Sequence, residues 1–164
     1  SFTVTAISSP PTAKANRLST SMSEHKRRVS QFFPIRILDG KLQIYLQKRT
    51  PEMVNPNNFG PFGGHAEGDE DSEQALVREV KEELDMELDL DEVEFFEHYE
   101  FMGSVKDVFI FHAPEKWEQS ITVKEGEYGE WFWSGDALDR SDIIFSDKVI
   151  INDLERKLIN GKLR

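Results

Sequence analysis

The stretch Gly64-His65-Ala66-Glu67-Gly68-Asp69-Glu70-Asp71-Ser72-Glu73-Gln74-Ala75-Leu76-Val77-Arg78-Glu79-Val80-Lys81-Glu82-Glu83-Leu84-Asp85-Met86 decides how this chain is read. Its second half is helical by pattern. Asp71 is an N-cap with Gln74 three residues on, a capping-box arrangement, and Ala75, Leu76, Val77, Val80 and Leu84 make one apolar arc. Glu79, Glu82 and Glu83 stand at i, i+3 and i+4, so at about 3.6 residues per turn their carboxylates share one arc beside the apolar one. Like charges that close repel, on a solvated helix by a few tenths of a kcal/mol per pair and by more in a cleft. A divalent cation among them relieves that cost; a solvated, glutamate-rich surface helix is the alternative use of the same spacing. Arg78, four residues before Glu82, is placed to hold these carboxylates in fixed rotamers.

Phe59-Gly60-Pro61-Phe62-Gly63-Gly64-His65-Ala66-Glu67-Gly68-Asp69-Glu70 runs straight into the capped helix N-terminus. Glycines there let backbone approach an anion closely and leave carbonyls bare for a metal. Loop and helix are expected to make one site, although a strand-to-helix turn calls for glycine in any case.

From Gly64 to Met86 the chain resembles the Nudix box: glycine, five residues, Glu, seven residues, then Arg-Glu-aliphatic-any-Glu-Glu-any-Gly-aliphatic. One defining position departs. Asp85 stands where the family has glycine after the helix, and Asp is among the few other residues that visit a left-handed C-terminal cap at modest cost. The resemblance implies the Nudix α/β/α sandwich, an α/β fold with a central mixed β-sheet and the box loop and helix on one side. It also implies that Glu79, Glu82 and Glu83 bind metal directly or through water, joined by the backbone carbonyl of Gly64, with Arg78 and Glu70 orienting them.

A second stretch, Lys124-Glu125-Gly126-Glu127-Tyr128-Gly129-Glu130-Trp131, is similar to the Lys-Glu-Gly-any-any-Gly-Glu-Trp loop of MutT-like nucleoside triphosphate pyrophosphohydrolases. The resemblance makes Glu125 a metal ligand outside the box, with Glu127 the candidate if the loop register differs; read without it, the stretch is a polar loop leading into an aromatic strand. Both acids are far from the box in sequence, so their meeting with it is a statement about the fold.

The implied reaction is hydrolysis of a diphosphate linkage, in a nucleoside triphosphate or related nucleotide, to a monophosphate and pyrophosphate. Oxygen ligands favour Mg²⁺, with Mn²⁺ a workable substitute. Glu79, Glu83 and Glu125 are the candidates for general base, Glu79 first among them. The MutT-like loop points to a triphosphate, an oxidised purine nucleotide among the options. The other readings are a different nucleoside-diphosphate-linked metabolite, such as a nucleotide sugar or dinucleoside polyphosphate, and a non-catalytic ligand sensor. Gly63, Gly64 and His65 are candidate phosphate contacts, His65 standing where many relatives carry Lys. Phe62, with Phe32, Phe33, Tyr45 and Phe145, is a candidate to stack on a base, against the commoner use of Phe in cores. An ungapped count from Trp131 brings Ser146 to the position of a base-reading Asn in relatives, with Asp147 beside it.

The remaining pattern is of one mixed domain. Ile35 and Ile37, the Asp39-Gly40 turn signal, then Leu42, Ile44 and Leu46 predict a β-hairpin from Val29 onward. Val93 to Met102 and Val105 to His112 read as strands around Gly103-Ser104, Trp131-Phe132-Trp133 as part of another. Ser146 or Asp147 is expected to cap a final helix using Ile150, Ile151, Leu154 and Leu158. Asp85 to Glu92 reads as a solvated connector or strand edge, and His25, His98 and His112 as structural or exposed.

The 164 residues are enough for one sizeable core and give no reason for a second domain. Residues 1–21 are rich in Ser, Thr, Pro and Ala and read as a flexible or vector-derived leader before Met22, leaving 22–164 as the domain. With 31 acidic against 20 basic residues the net charge is −11, which argues against nucleic acid polymers and anionic membranes as partners. A small phosphorylated molecule is the expected partner, because bound metal reverses the local field. The chain has no cysteine, in keeping with a reducing cytoplasm, and no apolar run long enough for a membrane span. Monomer and homodimer are both open.

Overall fold

The computed structural model describes residues 27–163; the leader expected over residues 1–21, with Met22 and His25, lies outside the described residues. Seven strands form one mixed sheet: β1 (Arg27–Leu38), β2 (Lys41–Lys48), β3 (Phe59–Gly60), β4 (Phe62–His65), β5 (Val93–Phe101), β6 (Ser104–His112) and β7 (Tyr128–Trp133). Among the described residues three α-helices cover it, α1 (Ser72–Leu84), α2 (Ser134–Asp139) and α3 (Phe145–Ile159).

The β1–β2 hairpin closes on two residues, with Leu38 opposite Lys41 and both Asp39 and Gly40 at positive φ (51° and 73°), the twist that suits a two-residue connection. β1 is the spine. Along one edge it runs parallel to β6 from Arg27 to Ile35; along the other it changes partner, pairing with β4 over residues 29–32 and with β2 over residues 35–38. Pro34, which has no N–H to donate, falls at the change. β2 diverges from β1 there, turning to β7 through residues 43–48 and to β3 at Gln47 and Lys48. The segment from Phe59 to His65 fills the fork. Read from sequence as irregular loop, it is instead two short strands broken at Pro61, because the diverging strands leave backbone groups that only another extended segment can satisfy.

Alternation along the strands sends one set of side chains to each face. Phe32, Tyr45, Phe109 and Phe111 meet Leu76, Val80 and Leu84 of α1, while Phe33, Ile35, Ile44, Leu46, Val108 and Ile110 meet Ala137 of α2 and Ile150, Ile151 and Leu154 of α3. The architecture is the α/β/α sandwich with a central mixed sheet. Among the described residues no helix is long and apolar enough to cross a membrane.

Helix α1 begins and ends as its residues predict. Asp71 accepts from the Gln74 N–H at 2.8 Å and its own N–H donates to Gln74 Oε1 at 3.0 Å; Asp85 closes the helix in the left-handed region at φ 52°, ψ 39°. Asp85 to Glu92 is a connector with a 3₁₀ turn at Leu90–Glu92. Two features of the helices differ from the sequence reading as well. Helix α2 was not foreseen, being six residues long and without a side-chain cap. Helix α3 is not capped by Ser146 or Asp147: its N-cap position is Ile144, and both polar residues lie in the first turn, drawn to Lys106 on β6.

Asp71→Ala should lower unfolding stability in urea by about 1 kcal/mol with an unchanged denaturant slope, and Asp71→Asn should recover most of it.

Candidate functional site

A cleft of about 680 Å³ opens at the end of the sheet where β1 and β2 part. Its walls come from the Gly63–Glu67 segment, Glu79 and Glu83 of α1, Arg49 and the loop after it, the β5–β6 turn, Glu125, and the first turn of α3.

Gly63 is forced. Its φ is +123°, and a Cβ there would collide with the Ser30 backbone carbonyl. This conformation aims the Gly63 N–H at Glu83, whose Oε2 accepts it at 2.6 Å. At Gly64 a Cβ would stand 2.5 Å from Glu79 Oε1, so the loop can lie on the helix only where no side chain intervenes.

Arg78 organises the acids around it. Its Nε donates to Glu70 at 2.9 Å, its Nη1 to Glu79 Oε1 at 2.9 Å and to Glu82 Oε2 at 3.2 Å, and its Nη2 to the His65 carbonyl at 2.9 Å. Bonding to Arg78 holds the Glu70 carboxyl below its ordinary value. One guanidinium thus ties the loop to three glutamates.

Glu79 and Glu83 face the cleft in a different state. Glu83 is only 3% exposed, and burial, with Glu79 and Glu125 nearby, pushes its carboxyl up to about 8 against the single Gly63 bond and the more distant Arg49. Glu79 is raised as well, first by burial, although Arg78 opposes the shift. Glu82 is half exposed at the rim of the arc and is absent from the cleft wall.

Glu125 reaches this group because its loop is sewn to both neighbours. The Thr122 and Lys124 N–H groups donate to the last carbonyls of α1, Leu84 at 3.0 Å and Glu83 at 2.8 Å, and the Glu127 N–H donates to the Lys48 carbonyl at 2.8 Å. Glu125 lines the cleft and Glu127 does not.

The remaining candidates divide. His65 lines the cleft, exposed, with its carbonyl on Arg78. Phe62 borders the cleft, but its ring is 1% exposed and stacks on Tyr45 at 6.0 Å on the core side; Phe32, Phe33 and Tyr45 are buried, and Phe145 is exposed. Ser146 and Asp147 both line the far end of the cleft, Ser146 accepting from Lys106 Nζ at 3.0 Å. Outside the cleft, His98 bonds Asp107 through Nδ1 at 2.6 Å, a structural contact that raises its pKa.

Three cleft residues were missed from sequence. Arg49 lies between the two ends, acting on both Glu83 and Asp147; Gln31 and Lys106 come from the interiors of β1 and β6. The signal for Lys106 was present: the adjacent charges Lys106 and Asp107 inside a strand that is apolar from Val108 to Phe111.

The donor set suits a hard divalent cation. Every cleft acid is an oxygen ligand, and two of them are buried without enough positive charge. Among the described residues no three acidic or histidine side chains already converge on one point. Mg²⁺ does not need them to, because it keeps several waters and takes one or two carboxylates plus substrate oxygens.

The family model for the NUDIX domain matches residues 28–152. The 8-oxo-dGTP diphosphatase of Escherichia coli (strain K12) is 30% identical over 115 residues, covering 70% of this chain and 87% of that protein. The NUDIX domain of Shewanella oneidensis NrtR, solved with ADP ribose, superposes with a TM-score of 0.65 at 16% identity, over 89% of this chain and 99% of that one. A MutT/nudix family protein from Enterococcus faecalis gives 0.56 at 16% identity over 73% of this chain, which spans 50% of that longer protein.

A carboxyl raised in the folded state destabilises it as pH rises from the ordinary value of 4.5 toward about 8, since the unfolded chain releases its proton first. Without divalent cations, Glu83→Gln should therefore melt higher than the parent at pH 8 and nearly the same at pH 5. Millimolar Mg²⁺ should raise the parent's melting temperature more at pH 8 than at pH 6, and Glu83→Gln should lose most of that increment.

Proposed function

The chain belongs to the Nudix hydrolase family and is a pyrophosphohydrolase, and on that premise we propose that it hydrolyses a diphosphate linkage in a nucleoside triphosphate or related nucleotide, with Mg²⁺, releasing a nucleoside monophosphate and pyrophosphate. The observation that carries this reading is that Glu79, Glu83 and Glu125 line one cleft together with the Gly63-Gly64 backbone. Glu79, Glu82, Glu83, Glu125 and the Gly64 carbonyl are the groups that would hold metal, directly or through water. When bound, the ion neutralises phosphate oxygens and makes a coordinated water more acidic.

The protein's own part is positioning and proton transfer. A water oxygen forms a bond to phosphorus as the bond to the departing phosphate oxygen breaks, and Glu79 takes the water proton. Arg78 fixes the rotamer of Glu79 through Nη1, leaving Oε2 for that task. Arg49, between the acidic end and Asp147, carries the one cleft guanidinium able to follow the negative charge of the phosphate chain.

The 8-oxo-dGTP diphosphatase likeness supports a purine triphosphate in nucleotide-pool housecleaning. The ADP ribose bound by the Shewanella domain supports, as a second reading, a nucleoside-diphosphate-linked metabolite. A cysteine-free chain suits action in the cytoplasm.

A panel of nucleoside triphosphates, nucleotide sugars and dinucleoside polyphosphates, followed by phosphorus NMR with Mg²⁺, should give pyrophosphate as the leaving group from the best substrate. Glu79→Gln should lower kcat about a hundredfold or more with a smaller change in KM. Glu82→Gln should weaken the Mg²⁺ dependence; unchanged turnover in both variants would reject the assignment.

A further inference from the structure

Across the sheet, His98, Asp107, Ser30 and Gly64 stand in register on the neighbouring strands β5, β6, β1 and β4. Further along the face that α1 covers, β1 and β6 bury the rings of Phe32, Phe109 and Phe111. The polar row lies beside those rings, where α1 begins. Ser30 is 1% and Asp107 8% exposed, so both need partners inside the protein.

Their hydrogen bonds lead to the helix. Asp107 accepts from His98 Nδ1 at 2.6 Å through Oδ1 and from the Ser72 hydroxyl through Oδ2. Ser72 is the first residue of α1, and its carbonyl accepts from Ser30 Oγ at 2.7 Å. Ser30 in turn lies opposite Gly64 in the β1–β4 ladder. The strand carrying Gly64 and the helix carrying Glu79 and Glu83 are thus both referred to one row of the sheet. Glu70, two residues before Ser72, bonds Arg78, and Arg78 bonds Glu79. A shift at Ser72 therefore reaches Glu79 through Arg78 as well as along the helix.

The other end of the row meets solvent, the His98 side chain being 44% exposed. Four charged groups surround the His98–Asp107 pair. On β5, Glu100 Oε1 is 3.6 Å from His98 Nε2 and Glu97 accepts the His98 backbone N–H at 3.2 Å; on β1, Arg28 is 3.9 Å from Asp107 Oδ2; on β6, Asp107 itself faces the ring. From α1 comes the Ser72 hydroxyl.

We propose that Asp107 is a positioning residue for the reaction: through Ser72 it sets where α1 begins relative to Gly64, and the proton on His98 sets how firmly. This rests on the proposed function for the roles of Glu79 and Gly64. A neutral His98 can still donate from Nδ1, but the protonated ring makes the stronger, charge-assisted bond to a buried carboxylate. The bond to Asp107, joined by Glu100, raises the imidazole above its ordinary value of 6.5. The folded state therefore gains from that proton, fully below pH 6.5, and loses the gain as pH rises through the raised value. The start of α1 is held most firmly on the acid side.

Two variants test this in the full chain. His98→Asn keeps a neutral donor near the place of Nδ1 and removes the titration; Ser72→Ala keeps the His98–Asp107 pair and removes its link to α1. Proton NMR of the ring gives the His98 midpoint, and kcat for the best nucleotide is followed from pH 6 to 9 at saturating Mg²⁺. Cleft carboxyls titrate in parent and variants alike, so their ratio isolates the step. The parent should turn over about threefold faster than His98→Asn at pH 6 and equally fast at pH 9, the ratio falling at the NMR midpoint. Ser72→Ala should keep the raised midpoint, lose the step, and show kcat about tenfold lower with little change in KM. A pair that only stabilised the fold would lower the melting temperature of both variants and leave the ratios flat with pH; that result, or a parental step in Ser72→Ala, overturns the proposal. Absence of hydrolysis with every nucleotide would reject the proposed function separately, and the coupling is then read without substrate. The Ser72 and Leu76 amide signals should titrate at the His98 midpoint in the parent and not in His98→Asn, and amides indifferent to His98 would overturn it.

Discussion

Everything at the cleft follows from placing Glu83 where water cannot solvate it. At 3% exposure its carboxyl has one protein donor, the Gly63 N–H, and two acidic neighbours, Glu79 and Glu125. Burying an ionised carboxylate with so little compensation is unfavourable, which pushes the Glu83 carboxyl up to about 8 in the folded protein. On the proposed reading, a divalent cation entering the cleft would reverse that preference and take the place of the proton. The glutamates are not equivalent in this. Arg78 bonds Glu70, Glu79 and Glu82 and makes no bond to Glu83, which is left with the Gly63 N–H alone.

That arrangement is inseparable from the fork in the sheet. Because β1 exchanges β4 for β2 at Pro34, the segment carrying Gly63 and Gly64 is held as a strand and not as a free loop. The ladder fixes Gly64 opposite Ser30 and Gly63 opposite Gln31, with the helix carboxylates packed onto the exposed side of that strand. The same pairing brings Gln31 toward the far end of the cleft. One short strand therefore sets the distance relation between the charged end and the polar end.

Local features were legible because local physics sets them. The capping box at Asp71 and Gln74, the left-handed Asp85, the Asp39-Gly40 turn and the two apolar arcs need only neighbours within a few residues. What escaped the sequence depends on partners far along the chain. The segment from Phe59 to His65 carries glycine and proline, which speak for a loop, and becomes two strands only because β1 and β2 diverge around it. Ser146 and Asp147 look like N-caps by type, yet Lys106, some forty residues earlier, draws them into the cleft. Glu125 was recognisable only through a motif; its arrival beside Glu83 depends on the bonds from Thr122, Lys124 and Glu127 to α1 and β2.

The two ends of the cleft solve opposite electrostatic problems with the same materials. At one end, acids outnumber the guanidinium that orders them, and the excess negative charge suits a divalent ion that can then accept phosphate oxygens. At the other, Lys106 stands 3.6 Å from Asp147 and donates to Ser146, leaving an end of little net charge. Arg49 stands between them and acts on carboxylates at both ends. A nucleotide has the same polarity along its length, anionic at the phosphates and neutral at the base. On the proposed reading, charge distribution would fix which way round such a molecule lies before any single hydrogen bond is counted.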